Sequence, residues 1–443
     1  MKKIWIAATL VPALLNAQGM TDEPTKSTEY METLLESKKT ITTTNSSNSN
    51  IPNISLIVDT SYTSQSFDED HHTDHLAIPG LVHGGGHDHD EHSHSSLSGN
   101  DGFNLNYAEL TMDASVDTYF DVKGVFHLSE DEFEIEEAFA TTRSLPYNLQ
   151  MKMGKFKSDF GYLNNKHHHN YNFSDSPLIY KSLLGDHGLN EKGIQLQYVL
   201  PLPVYTMFGI EAFKGENEQS FGVDGFAPHE AGEDFKGIEK VKQPALWIAY
   251  LKSSFDLGFG TVLAGVSVAK GESHIDHLED EEDAHAFAGD TTMYGVDLTY
   301  KKYFSANHVI TWQSEYLYRE MDGTRYIPNV AENDWKKELS LVKKQAGFYT
   351  ELVYQYDKNW RTGLRYSAIN KNDIVVNTTK KDEVDDMYVA SAMLEYNPSE
   401  YSRIRLQYNH DSSLYDEEGH KNNKNEIVLQ FNYAIGAHGA HAF

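Results

Sequence analysis

The sequence contains no cysteine. That absence removes disulfides and thiolate chemistry together, and it fits an exported protein with no covalent frame. Past its first residues the chain has no apolar run of about eighteen residues, so spanning helices are excluded. Arginine is scarce, with seven in 443 residues. Lys plus Arg total 37 against 66 Asp plus Glu, a formal charge of −29. Such acidity argues against nucleic acid as a partner. G-x-S-x-G, H-E-x-x-H and phosphate-loop motifs are missing, so no enzyme is expected. A Ser/His/acid set scattered along the chain would leave no such mark. Aromatics, by contrast, reach 12%, with 27 Tyr and 21 Phe. That content excludes disorder and suits a barrel with aromatic girdles at two interfaces.

Residues 1–17 read as a secretory signal peptide. Lys2 and Lys3 are its basic start, Ile4–Leu15 its apolar core, and Leu15-Asn16-Ala17 its cleavage site. Residues 18–50 read as a periplasmic lead-in. Glu29–Lys39 has a weak apolar stripe, too short for a helix stable alone, and Thr40–Asn50 is a polar linker.

Residues 51–443 carry alternation of period two. The last stretch shows it best: Ile427, Leu429, Phe431, Tyr433 and Ile435 share one face, while Gln430, Asn432 and Ala434 share the other. Such a strand has two different solvents on its two sides. The next cleanest is 108–117, where Leu110 and Met112 oppose Glu109 and Asp113. Carboxylates at alternate positions need water on that side, which separates a water-filled barrel from a sandwich core. Further strands read at Ile54–Tyr62, Phe120–Leu128, Phe133–Thr142, Leu149–Phe156, Gly193–Leu200, Val204–Phe213, Ala245–Leu251, Thr261–Ala269, Met293–Tyr300, Val309–Met321, Ala346–Tyr356, Trp360–Ala368, Met387–Tyr396 and Arg403–Tyr408. Met387, Val389 and Met393 break the pattern, being apolar on a face that should be wet. Short turns alternate with long connections at 63–102, 157–190, 214–243, 270–291, 322–343, 369–385 and 411–424. The expected fold class is therefore all-β: a transmembrane antiparallel β-barrel of about sixteen strands, with long extracellular loops and short periplasmic turns. A plugged transporter would need roughly 22 strands and a plug domain that the lead-in is too short to supply. The chain ends on Phe443, in phase with the apolar face, and this tail resembles the assembly signal of bacterial outer-membrane barrels. The expected location is the outer membrane of a Gram-negative bacterium, with membrane lipid and the barrel-assembly machinery as partners.

Gly154-Lys155-Phe156-Lys157 followed by Phe160-Gly161 resembles the segment that opens the third loop of phosphate-selective-type porins. The continuation through Asn164-Asn165-Lys166-His167-His168-His169, Phe173-Ser174-Asp175-Ser176-Pro177-Leu178 and Leu184-Gly185-Asp186-His187-Gly188-Leu189-Asn190-Glu191 resembles the zinc-regulated outer-membrane proteins related to those porins. Pro201-Leu202-Pro203 and the ending His438-Gly439-Ala440-His441-Ala442-Phe443 resemble them too. The likeness covers about 60 residues and the tail. It implies a porin-type barrel whose production responds to zinc, and by analogy with porins a homotrimer.

The 22 histidines are clustered. His71, His72, His75, His83, His87, His89, His92 and His94 sit in the first long loop among Asp88, Asp90 and other acids. His167, His168 and His169 sit in the second, and His274, His277 and His285 in the 270–291 segment. All are expected on one extracellular rim. Imidazole with carboxylate suits zinc and similar divalent ions, bound modestly and in competition with protons. No cofactor is required; the ion would be cargo or ligand. A His-rich surface loop is also explained by drift or proton buffering, and a loop folded inward would pack its histidines structurally. His127, His308 and His410 stand alone and read as structural or lumenal. By parity Glu109, Asp113, Asp121 and Lys123 line the lumen on early strands, and Arg319, Arg361, Arg365, Arg403 and Arg405 on late ones. Opposed acidic and basic walls would follow. Three functions stay open: a plug-free porin for divalent metal ions, an anion-selective or general porin with incidental histidines, and a surface adhesin or metal-sequestering protein.

Overall fold

The first strand, β1 (Asn53–Gln65), pairs with β2 (Gly102–Ser115) on one side and with the last strand, β17 (Lys421–Gly436), on the other. In this computed structural model the described residues are 52–66, 101–129, 133–217, 219–228, 235–278, 284–329, 334–381, 387–415 and 421–436. The segments expected as signal peptide and lead-in, His71 to His94 with Asp88 and Asp90, and the tail with His438, His441 and Phe443 lie outside them.

Between the closing strands run β3 (Phe120–Leu128), β4 (Phe133–Thr142), β5 (Leu149–Lys157), β6 (Asn190–Val199), β7 (Tyr205–Phe213) and β8 (Leu246–Asp256). Then come β9 (Thr261–His277), β10 (His285–Ser305), β11 (His308–Asn329), β12 (Asp334–Gln355) and β13 (Trp360–Val376), followed by the two-residue β14 (Thr379–Lys380), β15 (Met387–Ser399) and β16 (Ser402–Tyr415). Every pairing is antiparallel and, apart from β1–β17 and β13–β15, joins neighbours in sequence. β14 only extends the β13 hairpin, so the ring is a closed barrel of sixteen strands. Closure leaves no sheet edge to satisfy, which lipid demands.

All sixteen expected strands are present. On β17 the expected parity holds: Ile427, Tyr433 and Ile435 are exposed, while Val428, Gln430, Asn432 and Ala434 are buried. Tyr119, Phe259, Phe304, Tyr356 and Tyr401 are exposed beside the short turns. They form an aromatic belt of the kind found at a membrane interface.

The structure corrects the sequence reading at the tall wall. Residues 270–277, 285–291, 322–329, 334–343 and 369–376 continue β9 to β13 rather than forming loops. Backbone pairing goes on in segments rich in charged and polar residues, and their Phe287 and Leu341 pack with Met321, Ile275, Ile374 and Val376.

Residues 158–189, between β5 and β6, fold into the barrel. Phe160, Leu163, Leu178, Ile179 and Leu183 of this segment are buried with Met207, Tyr250, Leu317 and Tyr349 of the wall. Helix α1 (Leu178–Leu184) starts after Pro177 and stops at Gly185, whose φ is +73°. Seven residues do not hold a helix alone; burial of all but Lys181 holds this one. The same loop explains the apolar lumen positions. Met387 and Val389 join its core, and Phe173 covers Met393 and Val353.

Candidate functional site

Glu136 and Glu137 are consecutive on β4, yet both are buried on the lumen side. The ladder to β3 shifts between Val125 and Phe126: Val125 faces Glu137 and Phe126 faces Ile135. Glu136 is the extra residue, and such a bulge turns two successive side chains to one face. Glu109 of β2 and His127 of β3 sit beside them on the adjoining strands.

The inward loop supplies the other half. His167 Nδ1 lies 3.0 Å from Glu136 Oε2 and 3.5 Å from Glu109 Oε2, and its Nε2 lies 2.9 Å from Glu137 Oε2. His127 Nε2 lies 2.8 Å from Glu136 Oε2 and 3.4 Å from Glu109 Oε2. His169 Nδ1 reaches Glu109 Oε2 at 3.2 Å, and Lys157 Nζ reaches Glu136 Oε1 at 3.0 Å. Three imidazole nitrogens thus converge on one carboxylate oxygen. Burial would depress the His167 imidazole, but the Glu136 and Glu109 carboxylates outweigh it and hold it well above its ordinary value. His168 behaves oppositely. Burial, then the Lys157 ammonium, push it down to about 3, and its ring meets Tyr171 edge-on. Of the three consecutive histidines, the first and third join the cluster and the second packs.

The loop is pinned elsewhere by one carboxylate, which takes three contacts from the loop and one from the wall. Glu315 of β11 accepts the Tyr162 amide at 2.7 Å, the Leu163 amide at 3.0 Å, the Tyr180 hydroxyl at 2.8 Å and the Tyr349 hydroxyl at 2.5 Å. Gly161 makes the turn at φ +63°, where a Cβ would sit 2.4 Å from Glu315 Oε2. Glycine is required there on both counts.

The five late arginines do face inward, and they are engaged. Arg365 binds Asp175 Oδ2 at 2.7 Å, and Arg405 binds Glu395 Oε2 at 2.7 Å and the Tyr171 carbonyl at 2.9 Å. Arg361 binds Glu395 Oε1 at 3.0 Å and Asn172 Oδ1 at 2.6 Å. Arg403 donates to the His169 carbonyl at 2.9 Å, and Arg319 to the Gln219 carbonyl at 2.7 Å. The acidic and basic groups are not on opposed walls, as parity alone suggested. Closure through β1 and β17 makes the chain's ends neighbours, so β16, with Arg403 and Arg405, stands three positions from β2, while β13 and β11 lie further round the ring. Carboxylates also recur around the ring, with Glu211, Glu315, Glu351 and Glu395 all buried.

The remaining expected residues among those described are on the lumen face or the rim. Asp113 accepts from Asn53 at 3.0 Å, Asp121 from Ser115 at 2.8 Å, and Lys123 lies 3.8 Å from Glu137. His277 and His285 face each other across β9 and β10, with ring centroids 5.5 Å apart. His274 meets the Asp224 carbonyl at 2.8 Å. Those three stay at the rim, but His167–His169 do not: the 157–190 segment is lumenal, because its apolar residues have a core to join only inside. Sequence reasoning missed Glu136, Glu137 and Lys157 and left His127 isolated. The doubled acid in an otherwise alternating strand was the available signal of a bulge.

A closed sixteen-stranded antiparallel barrel defines the porin class of folds. No family model matches the chain. The chain belongs to one family with a protein of Aquifex aeolicus (strain VF5) described as uncharacterized, at 45% identity over 393 residues, 89% of this chain and 80% of that one. Among solved structures, OmpT of Vibrio cholerae expressed in the outer membrane is similar at TM-score 0.50 and 11% identity, over 88% of this chain and 99% of that one. The outer membrane channel DcaP of Acinetobacter baumannii gives TM-score 0.49 and 13% identity, over 87% and 97%. At these identities the OmpT likeness is one of fold.

Proposed function

We propose that the protein is a porin of the Gram-negative outer membrane, and that divalent metal ions, zinc foremost, diffuse inward through it. The single observation that carries this reading is the lumenal cluster of Glu109, His127, Glu136, Glu137, His167 and His169, set where the 158–189 loop narrows the barrel. Imidazole and carboxylate side by side suit borderline divalent ions. The apolar outer face and aromatic belt support the membrane location, and sixteen strands favour an open porin over a plugged transporter. The histidines from His71 to His94 would concentrate ions at the mouth, and the His277–His285 pair adds donors at the same rim. The resemblance to zinc-regulated outer-membrane proteins supports the same solute. Assembly as a trimer follows porin analogy.

The alternative is an anion-selective or general porin, and the inward arginines favour it. Against it, Arg361, Arg365 and Arg405 are already matched by Glu395, Asp175 and loop carbonyls. Guanidiniums committed to internal acids offer little to a passing anion. Reversal potentials in planar bilayers decide between the two: cation preference is expected, and strong anion preference overturns the metal reading. Deleting residues 83–94 should lower zinc uptake under zinc limitation; unchanged uptake removes the mouth's role.

A further inference from the structure

We propose that Glu109, His127, Glu136 and His167 form a four-coordinate site for a zinc-class divalent ion, which staples the inward loop to the barrel wall. This deepens the ion-channel reading and rests on it in one respect: ions must reach the lumen.

The geometry is that of a coordination shell. The donor atoms of the four residues all lie within 4.8 Å of one another. The four nitrogen–oxygen separations are 2.8, 3.0, 3.4 and 3.5 Å. A tetrahedron with metal–ligand distances of about 2.0–2.1 Å has edges of about 3.3–3.4 Å. The nitrogen–oxygen edges thus lie within about 0.5 Å of tetrahedral ones, and the nitrogen–nitrogen and oxygen–oxygen edges lie within 4.8 Å. Two nitrogens and two oxygens in a tetrahedron suit zinc or cobalt; calcium takes about six to eight oxygens and magnesium an octahedron.

The surroundings are also those of a metal site. Glu137 holds the far nitrogen of His167 at 2.9 Å, which fixes the ring and raises its basicity. Lys157 holds the second oxygen of Glu136 at 3.0 Å, leaving Oε2 to the cage. Tyr107 stacks on the His127 ring with centroids 5.1 Å apart and fixes that plane. The His169 ring stacks 5.7 Å from that of His167, and its Nδ1 lies 3.2 Å from Glu109 Oε2.

Three ligands come from adjoining wall strands β2, β3 and β4, and the fourth from the loop. One ion would thus cross-link wall to loop, and loading should narrow the passage and slow the loop's motion.

The test uses the full chain, folded in detergent, with Co2+ alone as probe, because tetrahedral Co2+ absorbs far more strongly in the visible than octahedral Co2+. The variants are His127→Gln, Glu136→Gln and His167→Gln, each confirmed folded by heat-modifiable gel mobility. The expected result is one tetrahedral Co2+ per barrel, with affinity reduced at least about tenfold in each folded variant. Zn2+ should lower single-channel conductance of the parent and not of His167→Gln. Unchanged tetrahedral Co2+ binding in any two folded variants overturns the site. A chain that passes divalent cations while its variants keep their Co2+ sinks the site and leaves the porin reading standing. Variants that lose Co2+ in a barrel that prefers anions do the reverse.

Discussion

Glu136 and Glu137, neighbours in sequence, approach His167 from opposite sides of its ring, at 3.0 Å on Nδ1 and 2.9 Å on Nε2. Only the bulge on β4 makes this possible, since in a regular strand one of the two carboxylates would face lipid. The two should therefore differ in consequence. Glu136→Gln removes a donor of the cage. Glu137→Gln removes only the group that orients His167, and should weaken zinc binding at the cage about 10–100-fold while keeping the parent's stoichiometry at saturation. Equilibrium dialysis with Zn2+ reads both affinity and stoichiometry, and lost stoichiometry in Glu137→Gln would contradict this division.

Glu315 should govern how firmly the constriction is held. Replacing it with Ala strips the Tyr162 and Leu163 amides and the Tyr180 and Tyr349 hydroxyls of their common acceptor. Buried donors left unpaired cost about 1–3 kcal/mol each, so the loop should detach locally before the barrel opens. Larger and noisier single-channel conductance is expected, with the heat-modifiable gel shift intact. A parent-like trace would show that the loop's apolar core alone suffices.

Arg405 and Glu395 are both almost wholly buried, 2.7 Å apart. Arg405→Met should destabilise the barrel by about 3–5 kcal/mol, because Glu395 then keeps a buried charge with less compensation. The double change Arg405→Met with Glu395→Gln should recover part of that loss. Urea unfolding in detergent, followed by tryptophan fluorescence, measures the cycle; equal loss in single and double variants would argue against a charge origin.

Zinc affinity should rise with pH more steeply than for an unperturbed imidazole. His167 is held protonated above its ordinary range by Glu136 and Glu109, so the ion must displace its proton. In the metal-free protein the same raised value means that His167 supports loop docking fully below its unfolded pKa and loses that support as pH climbs through the folded one. Zinc titrations between about pH 6 and about pH 8, in buffers of different ionisation enthalpy, report the proton released. Affinity independent of pH would contradict the displacement.

Much of the molecule was legible in the residues alone. Period-two alternation marks every wall strand, because lipid outside and polar lumen inside impose opposite demands on successive side chains. The same parity placed Glu109, Asp113, Asp121, Lys123 and the five arginines inward. Alternation fails where its cause fails. In the upper parts of β9 to β13 charged and polar residues interrupt the alternation, so these segments looked like loops, although Phe287, Met321 and Leu341 pack together there.

What only the tertiary structure decided depends on contacts between residues far apart in the chain. No local pattern shows that residues 158–189 turn inward; that follows from Phe160, Leu163 and α1 finding apolar partners on β7, β8, β11 and β12. Nor does one strand show that Glu136 bulges, since the extra residue exists only relative to β3. Closure by β1 and β17 set β16, with Arg403 and Arg405, near Glu109, where linear order had put them apart. The sequence determined which side chains see water, because that choice is made one residue at a time. Which of them meet was decided by the register, the bulge and the ring, which exist only once all sixteen strands are paired.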